Sequence, residues 1–158
     1  MSLKAEFEEK YGADYTLTKC KQNNCALKDI SSKKYFIING DTIKESDEKS
    51  VDCIIIDLKS NDDGKYKIIL CELTTGSKDI NDAISRFKSS GKLIINRLNG
   101  IDKSVYNINC LVLGNITKNG KSIDRKKLAL TKFKIEGLNK KLMVNSKGCG
   151  FSITEFES

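Results

Sequence analysis

Apolar residues fall in short runs along this chain, and the spacing within each run separates helices from strands. Leu3, Phe7 and Tyr11 stand four residues apart among Glu6, Glu8 and Glu9, which predicts a short acidic helix over 3–11 ended by Gly12. The stretch that follows is polar and turn-like. Tyr35–Asn39 predicts a strand with a turn at Gly40–Asp41 and a return through Thr42–Ile43. Val51–Asp57 and Tyr66–Leu73 are stronger strand signals, and a loop containing Asn61–Gly64 makes them an antiparallel hairpin. Both are apolar on both faces, as central strands are. From Lys78 to Leu98 the residues Ile80, Ala83, Ile84, Phe87, Gly91, Ile94, Ile95 and Leu98 trace one helical stripe, so a long helix should lie on the sheet. Asn107–Gly114 predicts a further strand, parallel to the one ending near Glu72 because a helical crossover intervenes. The expected order is αβββαβ, an α/β domain with a central mixed sheet flanked by helices.

Beyond Asn115 the pattern is weaker. Ser122–Thr131 predicts a short basic helix capped by Ser122, while 132–136, 141–144 and 151–154 predict edge strands, with a tight turn at Gly148–Gly150. No linker or repeat interrupts the chain, so residues 1–158 are expected to form a single domain.

Two acids interrupt the apolar pattern where burial without a partner is costly: Asp52, at the start of one strand, and Glu72, at the end of the next. With a three-residue hairpin loop at Asp62–Gly64, Asp52 falls opposite Thr74 and Glu72 opposite Ile54, all on one face. The two carboxylates then stand on a diagonal, roughly 7–8 Å apart at the backbone, and can converge on one divalent ion. A slip of one residue would send them to opposite faces. The competing structural reading is that Asp52 caps a strand and Glu72 pairs with a surface lysine.

Composition narrows the chemistry further. The chain has no His, which excludes imidazole bases, Ser-His-Asp and Cys-His pairs and HExxH zinc sites. Net charge is +7, and it is concentrated: residues 115–148 hold 10 Lys+Arg against 2 Asp+Glu. That basic segment has the character of a polyanion footprint, although a solvated lysine-rich surface fits as well. The longest uninterrupted apolar runs, Cys53–Ile56 and Ile68–Cys71, fall far short of the roughly 20 residues a membrane helix needs, so a soluble chain with no membrane partner is expected.

An Asp early on the middle strand, a Glu late on the next, and the αβββαβ order together resemble the PD-(D/E)XK phosphodiesterase superfamily, whose fold is restriction-endonuclease-like. The matching residues are Val51-Asp52, where the family has Pro-Asp, and Glu72-Leu73-Thr74, where it has an acid, any residue and Lys. The resemblance covers residues 3–114 and implies a nuclease in which Asp52, Glu72 and the Leu73 carbonyl hold Mg²⁺ or Mn²⁺ beside a DNA or RNA substrate. A homodimer is compatible with it. Thr74 departs from the motif Lys, which in the family positions water and offsets charge on phosphorus. Divergent members draw that cation from the following helix, and Lys78, Arg86 and Lys88 are the candidates here. Glu6, Glu8 and Glu9 occupy the region from which some members recruit an extra ligand; only one could point inward, and exposed helix carboxylates are the commoner outcome. The alternative from another class is a catalytically inactive nucleic-acid-binding or assembly module on the same fold.

Six cysteines remain. Cys53, Cys71 and Cys110 sit in strand patterns as small core residues, and with no leader pattern at the N-terminus all six are expected to be reduced in a cytoplasmic protein. Cys20 and Cys25, with Cys149, make a weak zinc set, and a Cys20–Cys25 disulfide is disfavoured. The Gly114–Gly120 loop lacks any nucleotide-binding pattern. Arg125, Lys126, Lys127, Lys140 and Lys141 are candidate contacts to a phosphate backbone.

Overall fold

A computed structural model describes residues 5, 8–9, 12, 16–43, 48–57, 66–97, 106–138 and 140–156. Strands β1 (Thr16–Leu17), β2 (Cys20–Gln22), β3 (Cys25–Leu27) and β4 (Tyr35–Asn39) lead into a single helical turn, α1 (Gly40–Ile43). Then follow β5 (Cys53–Asp57), β6 (Tyr66–Asp79), the long helix α2 (Ile80–Arg97), β7 (Tyr106–Lys118) and β8 (Lys121–Ser122). The chain ends with α3 (Arg125–Leu130), β9 (Lys132–Lys134), β10 (Lys141–Lys147) and a 3-10 turn at Ile153–Phe156.

The strands build an eight-stranded mixed sheet in the order β1-β4-β5-β6-β7-β10-β9, with β8 folded against β7. Strands β4, β5 and β6 form an antiparallel meander, and α2 carries the chain over to β7, which runs parallel to β6. The expected α/β architecture with a central mixed sheet is therefore present. Alternation along each strand divides the core in two. Ile54, Ile56, Ile68, Leu70, Cys110, Val112 and Val144 face α2, packing with Ile80, Ala83, Phe87 and Ile94. Ile37, Ile55, Ile69, Cys71, Leu111 and Leu113 face the other way, under the β2–β3 ribbon and Ile153. Helix α2 seats closely at its C-terminal half because Gly91 has no Cβ, which would strike the Ile135 side chain, and because Phe87 stacks on Phe133 at 6.2 Å.

Several expectations change. The β5–β6 register pairs Cys53 with Cys71 and Ile54 with Leu70, two residues away from the pairing a three-residue loop would impose. An even shift leaves every side chain on its expected face, so Asp52 comes opposite Glu72 instead of Thr74. The predicted loop residues 61–64 lie outside the described residues, as does Leu98. Helix α2 starts at Ile80, not Lys78, because β6 runs on to Asp79 past an irregularity between Leu73 and Ser77. Asp79 takes the cap, its Oδ1 accepting from the Asn81 and Asp82 N–H groups. Asp124, not Ser122, caps α3, accepting from Lys127 N–H at 2.8 Å, and Ser122 is drawn into β8. Gly40–Ile43 is helical and not a returning strand. Strand β9 stops at Lys134, β10 runs on to Lys147, and Ser152 makes only a bridge to Lys28 before the 3-10 turn. Most of the predicted 3–11 helix, Glu6 included, lies outside the described residues; Ala5, Glu8 and Glu9 are helical, and Gly12 N–H closes on the Glu8 carbonyl.

The reduced-thiol expectation fails at four positions. The polar stretch before β4 folds back as the β2–β3 ribbon over the sheet, which carries Cys20 to Cys53 and Cys25 to Cys149 as two disulfides. That pairing also removes the Cys20–Cys25 and zinc alternatives. Cys71 and Cys110 are free and buried. No helix among the described residues is long and apolar enough to cross a membrane.

Peptide mapping without reductant should recover the Cys20–Cys53 and Cys25–Cys149 cross-links, with Cys71 and Cys110 alkylated only after denaturation. Removing either cross-link should cost about 2–4 kcal/mol in denaturant unfolding. Gly40 leaves no room for a Cβ beneath the Val51 carbonyl and donates its N–H to the Asp52 carbonyl at 3.2 Å. Gly40→Ala should therefore destabilise by more than about 2 kcal/mol in the same measurement.

Candidate active site

Midway along β6 the apolar face gives way to acid. Asp52 precedes the first residue of β5, and Glu72 lies on β6 on the α2 side of the sheet, in the row of Ile68 and Leu70. Their interlock is specific: Asp52 N–H donates to Glu72 Oε1 at 3.1 Å, and Leu73 N–H donates to Asp52 Oδ2 at 2.8 Å. The two carboxylates thus continue the β5–β6 ladder with side-chain oxygens. Glu72 is buried at 1% exposure, while Asp52 is half-buried.

Two cations meet this pair. Lys78 Nζ lies 3.4 Å from Glu72 Oε2, and Arg86 Nε lies 3.8 Å from the same oxygen. Lys78 sits at the end of β6 and not on the helix, whereas Arg86 projects from α2 one turn after Asp82. Asp82 collects three cations, accepting from Arg86 Nε at 3.1 Å, Lys78 Nζ at 3.4 Å and Lys49 Nζ at 2.9 Å. Arg86 NH1 also donates to the Ser50 carbonyl at 3.0 Å. Ser90, fully buried, accepts from Val51 N–H at 3.0 Å and shares a 2.9 Å hydrogen bond with Ser50, and Ser89 donates to the Lys49 carbonyl. A polar stripe on α2, running from Asp82 through Arg86 to Ser89 and Ser90, therefore grips the segment 49–52 that presents Asp52.

Charge and burial act against each other here. Burial pushes the Glu72 carboxyl up from its ordinary 4.5 to about 7, the Asp52 charge adds to that, and Lys78 and Arg86 only partly oppose it. Asp52 is raised as well, chiefly by burial, against the Leu73 N–H bond and the Lys78 charge. Asp82 goes the other way: some burial raises it, but the hydrogen bonds from Lys49 and Arg86 and the neighbouring charges bring it down to about 2. Asp52, Glu72 and Asp82 stand against Lys49, Lys78 and Arg86, so the charges of the cluster balance, and the oxygens of the buried carboxylate pair are of the kind a hard divalent cation takes. The donors available are oxygens only, which suits magnesium or manganese. The set is sparse, and no cluster of three or more Asp, Glu, Cys or His suited to a metal occurs among the described residues.

Of the residues singled out from sequence, Asp52, Glu72, Lys78 and Arg86 come together, and Leu73 contributes its N–H to the pair. Thr74 does not join them. Its hydroxyl accepts from Gly76 N–H at 3.2 Å, and its methyl lies where a Cβ on Gly114 would have to go. Lys88 lies apart, exposed beside a shallow polar groove lined by Glu48, Ser85, Lys92 and Glu136. Glu8 and Glu9 are exposed. Asp82, Ser50, Ser89 and Ser90 were missed by sequence reasoning. For the three on α2 the signal was the i, i+4, i+7, i+8 spacing of polar residues, Arg86 included, beside the apolar stripe; Ser50, before β5, carried none.

The chain matches no family model, no curated protein and no solved structure.

A carboxyl that binds its proton more tightly in the folded state contributes stability that is complete below its unfolded value and is lost as the pH rises through its folded value. For Glu72 that window runs from 4.5 to about 7, and Asp52 acts in the same direction. With chelator present, the thermal midpoint should fall between about pH 5 and pH 8, by the equivalent of about 1–3 kcal/mol. Glu72→Gln should flatten that slope. A rising midpoint over this range, or a fall that survives Glu72→Gln unchanged, would contradict the assignment.

Proposed function

We propose that this chain is a divalent-metal-dependent nuclease of the PD-(D/E)XK type, hydrolysing phosphodiester bonds of DNA or RNA. The observation that carries the reading is the convergence of Asp52, Glu72, Lys78 and Arg86 at one end of the β5–β6 pair, with both carboxylates raised by burial. The meander β4–β5–β6, followed by a helical crossover to a parallel β7, supports the restriction-endonuclease-like core. Asp52, Glu72 and the Leu73 carbonyl would hold Mg²⁺ or Mn²⁺, which in such sites polarises a phosphoryl oxygen and makes bound water acidic. The remaining work falls to side chains already in place. Lys78 and Arg86 stand where positive charge offsets the charge growing on phosphorus, taking the part of the motif Lys that Thr74 cannot play. Asp82 and the Ser50 carbonyl hold Arg86 in position. The exposed Lys126, Lys127, Lys140 and Lys141 suit a nucleic-acid backbone. The cytoplasmic placement expected from reduced cysteines loses that support, since four of the six are cross-linked and disulfides persist mainly in oxidising compartments.

One specific observation favours a second reading. The inner oxygen of Glu72 already faces Lys78 and Arg86, and the Thr74 hydroxyl is committed to a local turn, an arrangement equally suited to a non-catalytic nucleic-acid-binding or assembly module.

Incubation with single- and double-stranded DNA and RNA in Mg²⁺ or Mn²⁺ separates the two. The enzyme reading expects cleavage that Asp52→Asn and Glu72→Gln abolish, and that Arg86→Ala and Lys78→Ala lower about 100-fold in kcat with smaller changes in binding. Lys88→Ala should have no effect. An inactive parent in which Thr74→Lys creates activity would establish the second reading, and cleavage indifferent to Asp52 and Glu72 would remove the site from the reaction.

A further inference from the structure

The cations beside the carboxylate pair leave it with no positive surplus, since Lys49, Lys78 and Arg86 are each engaged by Asp82 or Glu72. A polyanion approaching this end of the sheet therefore needs positive charge from outside the cluster, and the strand register supplies it. Val112 is the β7 partner of Glu72, and Ile116 is the partner of Lys78. Two residues further on, Lys118 pairs directly with Lys121 across the β7–β8 hairpin. Val112 and Ile116 both pack on the α2 side, so alternation sets Lys118, and Lys121 opposite it, on the face that carries Glu72. Lys118 lies six residues beyond Val112, about 20 Å along the strand.

This hairpin projects into solvent. Its turn residues Asn119 and Gly120 have φ of +53° and +78°, the left-handed pair that closes a two-residue loop in keeping with strand twist. Residues 118–121 are all exposed, and a Cβ on Gly120 would meet nothing within 4 Å. Among the described residues no acid pairs with either lysine; Asp79, the partner of Thr117, and Asp124 are committed to helix caps. Like charges directly opposite each other destabilise a strand pair, a cost that a bound anion offsets.

We infer that the Lys118 and Lys121 hairpin grips the phosphate backbone of a double-stranded nucleic acid lying over the Asp52 and Glu72 site. The inference rests on reading that site as one that holds a nucleic acid, and it assigns the place where the flanking duplex is held. Lysine ammoniums donate and do not accept, which suits a ligand whose backbone supplies acceptors alone. The tip has no aromatic ring for unpaired bases to stack on, which favours a duplex over a single strand. A duplex carries one negative charge per ~1.7 Å of axis, denser than an extended acidic polypeptide, whose residues rise ~3.3 Å and alternate in direction.

The test uses the full chain with its disulfides intact and a fluorescent DNA duplex of about 20 base pairs, first with chelator present so that nothing is cleaved. By anisotropy, Lys118→Gln and Lys121→Gln should each weaken binding about eightfold at about 0.1 M salt and lower the slope of log K against log salt by about one. Lys33→Gln, the same loss of charge in the turn before β4 at the other end of the sheet, should leave both unchanged. Lys118→Glu converts the opposed pair into a cross-strand ion pair, so it should raise the thermal midpoint while weakening binding further, which separates lost binding from lost folding. With Mg²⁺, the double Lys→Gln variant should raise KM about tenfold or more and leave kcat within about twofold. The inference is overturned if Lys33→Gln weakens binding equally, if the double variant keeps the parent's salt slope, or if a Glu-rich peptide of equal charge displaces the duplex. Cleavage with an unchanged KM in the double variant would also overturn it and leave the enzyme reading standing. Hairpin-dependent binding of a duplex that is never cleaved would uphold it and remove the enzyme reading.

Discussion

The hydrogen bonds from Asp52 N–H to Glu72 Oε1 and from Leu73 N–H to Asp52 Oδ2 replace two backbone pairings at the end of β5 and β6 with side-chain ones. That substitution places two acids shoulder to shoulder against a face otherwise made of Ile54, Ile56, Ile68 and Leu70. Breaking such a buried arrangement by removing one partner typically costs about 3–5 kcal/mol, so the surroundings are constrained to keep it satisfied. Lys78 can reach Glu72 only because β6 runs on past its irregularity before the helix begins. Arg86 can reach it only if α2 is set at one rotation about its axis. Gly40 must stay without a side chain for its N–H to meet the Asp52 carbonyl.

Helix α2 answers two requirements with two adjacent stripes. Ile80, Ala83, Phe87, Gly91 and Ile94 fix its rotation by burial, an effect worth about 1.5–3 kcal/mol for each large side chain fully removed from water. With the rotation fixed, Asp82, Arg86, Ser89 and Ser90 necessarily fall over residues 49–52. The apolar stripe supplies most of the stability, and the polar one supplies position. Asp82 matters to that positioning because Lys49, Lys78 and Arg86 all donate to it; a single exposed ion pair would hold a side chain only weakly.

Patterns tied to backbone periodicity were legible in the sequence. The strands from Tyr35 to Gly114, the α2 stripe and the parallel crossover all follow from spacing, because burial on a sheet enforces period two and burial of a helix face enforces its own period. The shared face of Asp52 and Glu72 was legible for the same reason: an error of two residues in the register leaves the face unchanged. What spacing could not give was anything set by tertiary contact. Lys78 reads as helical because the stripe begins nearby, yet the cap at Asp79 and the pairing of Lys78 with Ile116 keep it in β6. Arg86 stood out beside the Ala83–Ile84 pair of the stripe, but its contact with Glu72 and the separation of Lys88 from the site follow only from the rotation of α2. Thr74 reads only as a departure from the motif Lys, and the fold alone shows its hydroxyl bonded to Gly76 and its methyl filling the space left by Gly114.

The cysteines were the least legible residues because a disulfide depends on where two distant segments meet, and polar turn-like sequence does not announce the β2–β3 ribbon. Once formed, that ribbon braces the sheet from the face opposite α2. Cys20 ties it to Cys53, the residue after Asp52. Cys25 ties it to Cys149, whose sulfur lies 3.3 Å from the Thr74 carbonyl, two residues after Glu72. The start of β5 is thus held covalently from behind at about the level where Asp52 projects in front, and the second cross-link lies against β6 beside Thr74. Cross-links act mainly by limiting the unfolded chain, but here their placement also limits local opening of the strand ends. Strand ends fray first, and a pair of buried like charges would favour fraying. The same end of the sheet therefore carries both the strongest electrostatic reason to open and the covalent and ionic contacts that oppose it.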